Sequence, residues 1–208
     1  MEQNNNNIDK NPKLEEGINV PQSKMKKFWS EGLEFLKFAV IALAIVIPIR
    51  MFIAQPFIVS GQSMVPTFED KDYLVVDEIT YRFENPNRGD VIVFRYPLET
   101  SKFLIKRIIG LPGETVKIYN GIVTIHPKGA DKNSLGVTLH EPYINEAFDT
   151  TKTVTLTEDE YFVMGDNRNR SSDSRSWGAL PKKDIVGRAF LRLLPFSHID
   201  YLPGALTQ

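Results

Sequence analysis

One serine and one lysine of this chain have neighbours that suit nucleophilic catalysis. Ser63 lies in SGQSMVPTF (residues 60–68), directly after the most apolar run. A serine hydroxyl is a poor nucleophile unless a base takes its proton, and the usual base is histidine. His126, His140 and His198 are scattered, and none has neighbours typical of that role. A lysine is the base in the Ser-Lys variants of this chemistry, so a suitable lysine is the next feature to seek.

Lys106 is the best candidate for such a base. It lies in KFLIKRIIG (residues 102–110), the most apolar strand-like run that contains a lysine. Strand alternation places Lys106 and Arg107 on opposite faces, so one of the two cations must face the interior or a cleft. Burial would lower the lysine pKa from about 10.4 towards the 7 to 8 that a general base needs. Two plainer interpretations stay open: Lys106 reaches solvent at a sheet edge, and Ser63 is an ordinary loop serine.

A charged loop follows a later apolar strand. The stretch GDNRNRSSDSRSWG (residues 165–178) alternates acidic and basic side chains. If exposed, each ion pair there would contribute less than about 1 kcal/mol. The loop does not match a calcium-binding pattern, because Arg168 stands where a ligand would be needed.

Composition excludes several classes of protein. The 208 residues have a formal net charge of −1, which gives no electrostatic case for nucleic-acid binding. Cysteine is absent, so disulfides and thiolate catalysis are excluded. The histidines have no metal-ligand spacing, and we expect neither a metal nor an organic cofactor.

The amino-terminal part is predicted to be a tail followed by a membrane anchor. Residues 1–23 are polar and aperiodic, which indicates disorder. Residues 24–55 contain a basic flank and an apolar run, and a span from about Leu36 to Gln55 could cross a bilayer as a helix. A buried core helix, a cleaved signal peptide and an interfacial helix fit the run less well. The excess of lysines before the run places the amino terminus in the cytoplasm and residues 56–208 outside.

Residues 56–208 are predicted to form one β-rich domain. Short apolar runs alternate with turn signals, among them Asn120-Gly121, a strong hairpin signal. Only short helices fit between these runs. The segment 126–148 is predicted to be a loop excursion and not a separate domain, and the sequence assigns it no role.

Four motifs together resemble the type I signal peptidase family. They are SGQSMVPT, RGDVIVF, IKRIIGLPGE and GDNRNRSSDSRSWG followed by VGRA, and they occur in the family's order after an apolar run. The resemblance covers roughly residues 38–200. It implies a mainly β, antiparallel signal-peptidase fold of the peptidase S26 type with one amino-terminal transmembrane helix. It also implies a serine endopeptidase that removes signal peptides from exported preproteins.

The same resemblance implies roles for particular residues. Ser63 is the expected nucleophile, Lys106 the expected general base, and Ser171 the hydroxyl that orients the lysine amine. Structural ion pairs are expected from Arg107, Asp166, Asp173 and Arg175. The substrate pocket is expected to include Phe57, Val59, Met64, Leu104 and Ile105. Some relatives have an oxyanion-binding serine where this chain has Gly61, so the second oxyanion donor is left open, with the Ser63 N–H as the first.

The expected partners are signal-peptide-bearing preproteins and the lipid bilayer, in a single-pass protein of the cell membrane. The sequence does not give the oligomeric state. Two rival interpretations stay open at this point. One is a self-cleaving Ser-Lys peptidase of the repressor type, against which the apolar anchor argues. The other is a membrane-tethered β-domain without activity, against which the presence of both Ser63 and Lys106 argues.

Overall fold

A computed structural model describes residues 22–52, 54–131 and 134–205 of the chain. The described part contains two α-helices, α1 (Gln22–Phe52) and α2 (Ser174–Trp177), and twelve strands. The strands are β1 (Ala54–Ile58), β2 (Tyr73–Asp77), β3 (Val91–Tyr96), β4 (Glu99–Gly110), β5 (Thr115–Tyr119), β6 (Ile122–His126), β7 (Val137–Thr138), β8 (Lys152–Thr155), β9 (Glu160–Met164), β10 (Leu180–Pro181), β11 (Ile185–Leu194) and β12 (Asp200–Tyr201). All of the strand pairs described are antiparallel, so the predicted mainly β, antiparallel fold is confirmed.

Helix α1 occupies most of the segment predicted as a membrane anchor. It begins at Gln22 and ends at Phe52, three residues before the approximate anchor end predicted near Gln55. Gln55 lies in β1, where it pairs with Val76 of β2. None of the helices in the described ranges is both long enough and apolar enough for a bilayer crossing. The predicted tail lies outside the described residues as far as residue 21.

The larger sheet positions the residues of interest. Its strand order is β1-β2-β11-β3-β4-β9-β10, with β12 added to β11. Strand β4, which contains Lys106, therefore lies between β3 and β9 and is paired on both edges. The last long strand, β11, inserts between β2 and β3, so the carboxyl-terminal part of the chain completes the sheet.

The second sheet is smaller and has the order β7-β6-β5-β8. Its β5–β6 hairpin turns at Asn120 and Gly121, both with positive φ, as the Asn-Gly signal predicts. The predicted excursion at 126–148 is mostly irregular, but it includes β7, which pairs with β6.

The core is apolar on both faces of β4. Ile108 packs with Ile92 and Phe94 in one cluster of buried side chains. Ile109 packs in a different cluster, with Phe162 and Met164. Because neighbouring strand residues point to opposite faces, a strand buried on both sides must bury its polar residues as well. Lys106 and Arg107 are those residues, and both are buried.

Candidate active site

Lys106 and Ser63 are in direct contact. The Lys106 Nζ atom lies 2.7 Å from Ser63 Oγ and donates a second hydrogen bond of 2.7 Å to the carbonyl of Ile105. Lys106 is only 3% exposed, which rules out a lysine that reaches solvent at a sheet edge. Ser63 comes from the loop between β1 and β2, 43 residues earlier in the chain, so the fold brings the two together.

The surroundings of Lys106 disfavour its charged form. Burial lowers the pKa of Lys106 to about 8, while the negative charges of Asp173 and Asp166 act in the opposite direction. A lysine with this pKa is partly neutral near pH 8, and its neutral amine can accept a proton. The site therefore pairs a hydroxyl with a base at hydrogen-bond distance, as nucleophilic catalysis requires.

The backbone of Ser63 is held by the charged loop at 165–178. The Asn167 N–H donates a 3.1 Å hydrogen bond to the carbonyl of Ser63. Gly165 packs so closely that a side-chain carbon there would overlap the Ser63 carbonyl oxygen and the Ser171 hydroxyl. On the other side of the serine, the Gly61 N–H donates to Asp70 at 2.8 Å, and Gly61 has a φ of +94°, which favours glycine.

Arg107 and Asp166 form a buried ion pair beside the lysine. Two guanidinium nitrogens of Arg107 donate to the two carboxylate oxygens of Asp166, at 2.8 and 2.6 Å. The remaining nitrogen of Arg107 donates to the carbonyls of Gly89 and Gly204, at 2.8 and 2.5 Å. The pair is bidentate and fully hydrogen-bonded, which is the condition under which a buried ion pair is tolerated.

Asp173 forms a second pair and fixes the end of the charged loop. It accepts hydrogen bonds from the Arg175 side chain, both at 2.8 Å, and from the Gly165 N–H at 3.0 Å. Burial would raise the pKa of the Asp173 carboxyl, but these partners hold it below its ordinary value. Asp173 also caps the amino terminus of α2 by accepting from the Arg175 N–H. It is thus a carboxylate that stays ionised near Lys106.

Ser171 lies close to Ser63 and Lys106, the pair that we call the dyad, but it is not hydrogen-bonded to the lysine. Its Oγ atom is buried and, among the described residues, makes no hydrogen bond of good geometry. The hydroxyl nevertheless lies near enough to the Asp173 carboxylate to help lower the pKa of that group. It sits against Gly165 on the same side as the Ser63 carbonyl. The structure therefore brings Ser171 to the site without the direct contact to Lys106 that an orienting hydroxyl would make.

A cavity of about 110 Å³ opens beside Ser63 and Lys106. It is lined by Phe57, Ile58, Val59, Ser60, Ser63, Leu74, Val93, Phe103, Leu104, Ile105 and Lys106. Four of the five predicted pocket residues are among these. Met64 is the exception: it is not among the lining residues, is 1% exposed and packs in the core with Phe68 and Leu74.

Sequence reasoning missed several residues of the site. Phe103 shares its strand face with Ile105, and alternation along β4 could have placed it in the cavity. Glu141, which pairs with the buried Arg168, gave no signal, because the two lie 27 positions apart with two strands between them. Within the described ranges, no group of three or more His, Cys, Asp and Glu side chains is placed to hold a metal ion.

Comparisons with known proteins identify the family. The family model described as "Signal peptidase, peptidase S26" matches residues 32–194. "Probable signal peptidase I-1" of Synechocystis sp. is 38% identical over 86% of this chain and 90% of its own. "Signal peptidase I" of Leptolyngbya laminosa is 37% identical over 88% of this chain and 89% of its own. "Signal peptidase I P" of Bacillus subtilis subsp. natto is 35% identical, over 86% and 98% respectively. On this evidence the chain belongs to the signal peptidase I family, peptidase S26.

Proposed function

We propose that this chain is a signal peptidase I that removes signal peptides from exported preproteins with Ser63 as nucleophile and Lys106 as general base. The observation that carries the proposal is the 2.7 Å contact between Lys106 Nζ and Ser63 Oγ in a site where burial lowers the lysine pKa to about 8. Family membership supports the substrate class, because the curated relatives are signal peptidases.

The chemistry begins with neutral Lys106. Its amine accepts the Ser63 hydroxyl proton while Oγ attacks the carbonyl carbon of the scissile peptide bond. The resulting ammonium gives the proton to the leaving amine as the C–N bond breaks, which leaves an acyl-enzyme on Ser63. A water molecule then loses a proton to Lys106 and attacks the ester. As the ester C–O bond breaks, Lys106 gives this proton to Ser63 Oγ. The signal peptide leaves with a free carboxylate, and the Ser63 hydroxyl and the neutral Lys106 amine are restored.

Two further groups are proposed to assist this reaction. The Ser63 N–H is the first candidate to stabilise the oxyanion, and Gly61 supplies no hydroxyl for that purpose. Ser60 lines the same cavity and offers the nearest alternative hydroxyl along the chain. Ser171 is proposed to orient the lysine amine, since its hydroxyl is buried next to Gly165, on the same side as the Ser63 carbonyl.

The cavity is proposed to bind the small side chains that precede the cleavage site. Signal peptides have small residues near the cut. A cavity of about 110 Å³ with an apolar lining suits such side chains and excludes large ones. Val59 and Ile105 are the lining residues closest in sequence to the dyad that also pack into the core.

Membrane attachment is proposed for the amino-terminal segment. Many apolar side chains of α1 are exposed, among them Trp29 at 75%, Phe38 at 70% and Ile41 at 60%. Apolar surface of this extent is costly in water and is satisfied by lipid. The lysines before it favour a cytoplasmic amino terminus and an extracytoplasmic catalytic domain, with residues 24–55 as the anchor region.

A cleavage assay tests the proposal and separates it from its rivals. Purified full-length chain in detergent is incubated with a preprotein, and the products are sequenced at the new amino terminus. Wild type should cut after the signal peptide, whereas Ser63→Ala and Lys106→Ala should both be inactive while retaining the wild-type circular dichroism spectrum. Cleavage of the chain itself and not of the preprotein would favour the self-cleaving rival. Inactivity of the wild type would favour the non-catalytic one.

A further inference from the structure

The segment between β7 and β8 contacts three arginines near Ser63 and Lys106. They are Arg107, Arg168 and Arg175, which with their carboxylate partners form what we call the cluster. We call residues 139–148 the strap. Its Glu141 carboxylate accepts hydrogen bonds from both terminal nitrogens of Arg168, at 2.5 and 3.1 Å. The side chains of this pair are 9% and 1% exposed. The hydroxyl of Tyr143 donates to the same carboxylate at 2.8 Å, so the strap supplies both a charge and a group that fixes it.

Aromatic rings of the strap cover the guanidinium groups of the cluster. The Tyr143 ring centre lies 4.0 Å from the guanidinium carbon of Arg107. The Phe148 ring centre lies 4.9 Å from that of Arg168 and 5.3 Å from that of Arg175. Contacts of this kind between a cation and a ring face are attractive, and most strongly so when water is excluded. All three guanidinium groups therefore pack against the strap.

The strap also completes the charge balance of the cluster. The cluster contains three guanidinium–carboxylate pairs: Arg107–Asp166, Arg175–Asp173 and Arg168–Glu141. Two of the carboxylates come from the charged loop itself, and the third comes from the strap. Without Glu141, a buried guanidinium would lack its carboxylate in a region where unpaired charge is strongly disfavoured.

A short chain of hydrogen bonds connects Glu141 to the nucleophile. Arg168, held by Glu141, donates from Nε to the carbonyl of Gly165 at 3.1 Å and so closes the turn at 165–168. Within that turn, the Asn167 N–H donates to the Ser63 carbonyl at 3.1 Å. Displacement of Arg168 would thus move the backbone donor that fixes Ser63.

We propose that the strap is a positioning element for catalysis, in which Glu141 and Tyr143 hold Arg168 and thereby the turn that fixes the nucleophile Ser63. Neither strap residue touches the reacting atoms, so both act through Arg168 and Asn167. The inference rests on the proposed role of Ser63. It gives a function to a segment whose sequence suggested none.

The test compares Glu141→Gln and Glu141→Asp with wild type in steady-state cleavage of a preprotein, using the full-length chain in detergent. Glu141→Gln should lower kcat by about 10- to 100-fold, the range that a misplaced reacting group produces. KM should stay within about twofold, because ground-state binding is not affected. Glu141→Asp keeps the charge and should recover part of the lost kcat.

Two controls make the result specific. Glu158→Gln removes an equivalent carboxylate from an exposed pair with Lys128, and its kcat should match that of wild type. Ser63→Ala reports on the proposed function itself. If it is inactive while Glu141→Gln is fully active, only the strap inference fails; if Ser63→Ala is active, both fail. A loss of Glu141→Gln activity that appears in KM alone, or that equals its unfolded fraction, also overturns the inference.

Tyr143→Phe keeps the test decisive if Glu141→Gln does not fold. This variant retains the ring over Arg107 and loses only the hydroxyl that fixes Glu141. Its kcat should fall by about two- to fivefold at unchanged KM, a loss corresponding to one modest hydrogen bond. A wild-type kcat in folded Tyr143→Phe, together with failure of Glu141→Gln to fold, would show a purely structural strap and overturn the inference.

Discussion

Arg107, the residue after Lys106 in β4, forms a bidentate ion pair with Asp166. The side chains of Arg107 and Asp166 are 1% and 0% exposed. Removing one partner of such a pair leaves an uncompensated buried charge. Asp166→Asn should therefore lower the free energy of unfolding by about 3–5 kcal/mol. Chemical denaturation of the full-length chain in detergent measures the change. Glu158→Gln, from the exposed pair with Lys128, is the matched control and should cost less than about 1 kcal/mol. Equal effects of the two substitutions would contradict this account.

Lys106 should reduce stability at neutral pH, because the folded state disfavours its charge. The pKa of Lys106 is about 8 in the folded state, against an ordinary value of 10.5. Between pH 8 and pH 10.5, Lys106 is therefore protonated in the unfolded chain and largely neutral in the folded chain. Lys106→Met should therefore be more stable than wild type by roughly 1–3 kcal/mol below pH 8. The difference should shrink as the pH rises from 8 and vanish above about 10.5. Melting temperatures at pH 7 and pH 10.5 test this, and an equal gain at both would exclude it.

Gly165 should not tolerate a side chain. A methyl group there would meet the Ser63 carbonyl oxygen and the Ser171 hydroxyl, neither of which lies at the end of a long flexible side chain. Gly165→Ala should cost about 1–3 kcal/mol of stability through overpacking. It should also lower kcat by up to about 100-fold, because Ser63, the proposed nucleophile, is displaced. Steady-state kinetics on the folded fraction measure this, and unaltered kcat would show that Ser63 is free to adjust.

The cavity should set the size of the side chains accepted before the cut. Val59→Ala and Ile105→Ala enlarge its lining, so preproteins with larger residues near the cleavage site should become substrates. Each removed methylene is expected to alter discrimination by about 10-fold or more. Ile122→Ala, at a position 57% exposed on the smaller sheet, is the control. Cleavage-site preference that is the same in all three variants would remove the cavity from substrate recognition.

The elements that the sequence predicted correctly are those set by local chemistry. The Asn120-Gly121 hairpin follows from the positive φ that these residues accept, and the long apolar run around Lys106 forms β4, an interior strand of the larger sheet. The partnership of Ser63 and Lys106 was a hypothesis from residue chemistry that stayed open until the family resemblance supported it, since no local pattern joins residues 43 positions apart.

Other features depend on long-range pairing and had no local signal. The insertion of β11 between β2 and β3 and the pairing of Glu141 with Arg168 both join distant segments. The end of α1 at Phe52, before the approximate anchor end predicted near Gln55, also depends on pairing, because Gln55 lies in β1 and pairs with Val76 of β2. Met64 was expected in the substrate pocket because of its place beside Ser63, but the loop turns its side chain into the core.

Chemical replacement of the lysine tests the central claim most directly. The chain has no cysteine, so Lys106→Cys introduces a single thiol, which 2-bromoethylamine converts into a lysine analogue with sulfur in place of one methylene. Lys106→Cys should be inactive, and alkylation should restore cleavage of a preprotein, whereas the same treatment should leave wild type unchanged. In wild type, kcat/KM should fall below pH 8 as Lys106 becomes protonated. The electron-withdrawing sulfur lowers the amine pKa, so this acid limb should move to lower pH in the restored enzyme. Activity that does not return, or returns with an unshifted acid limb, would contradict a Lys106 general base.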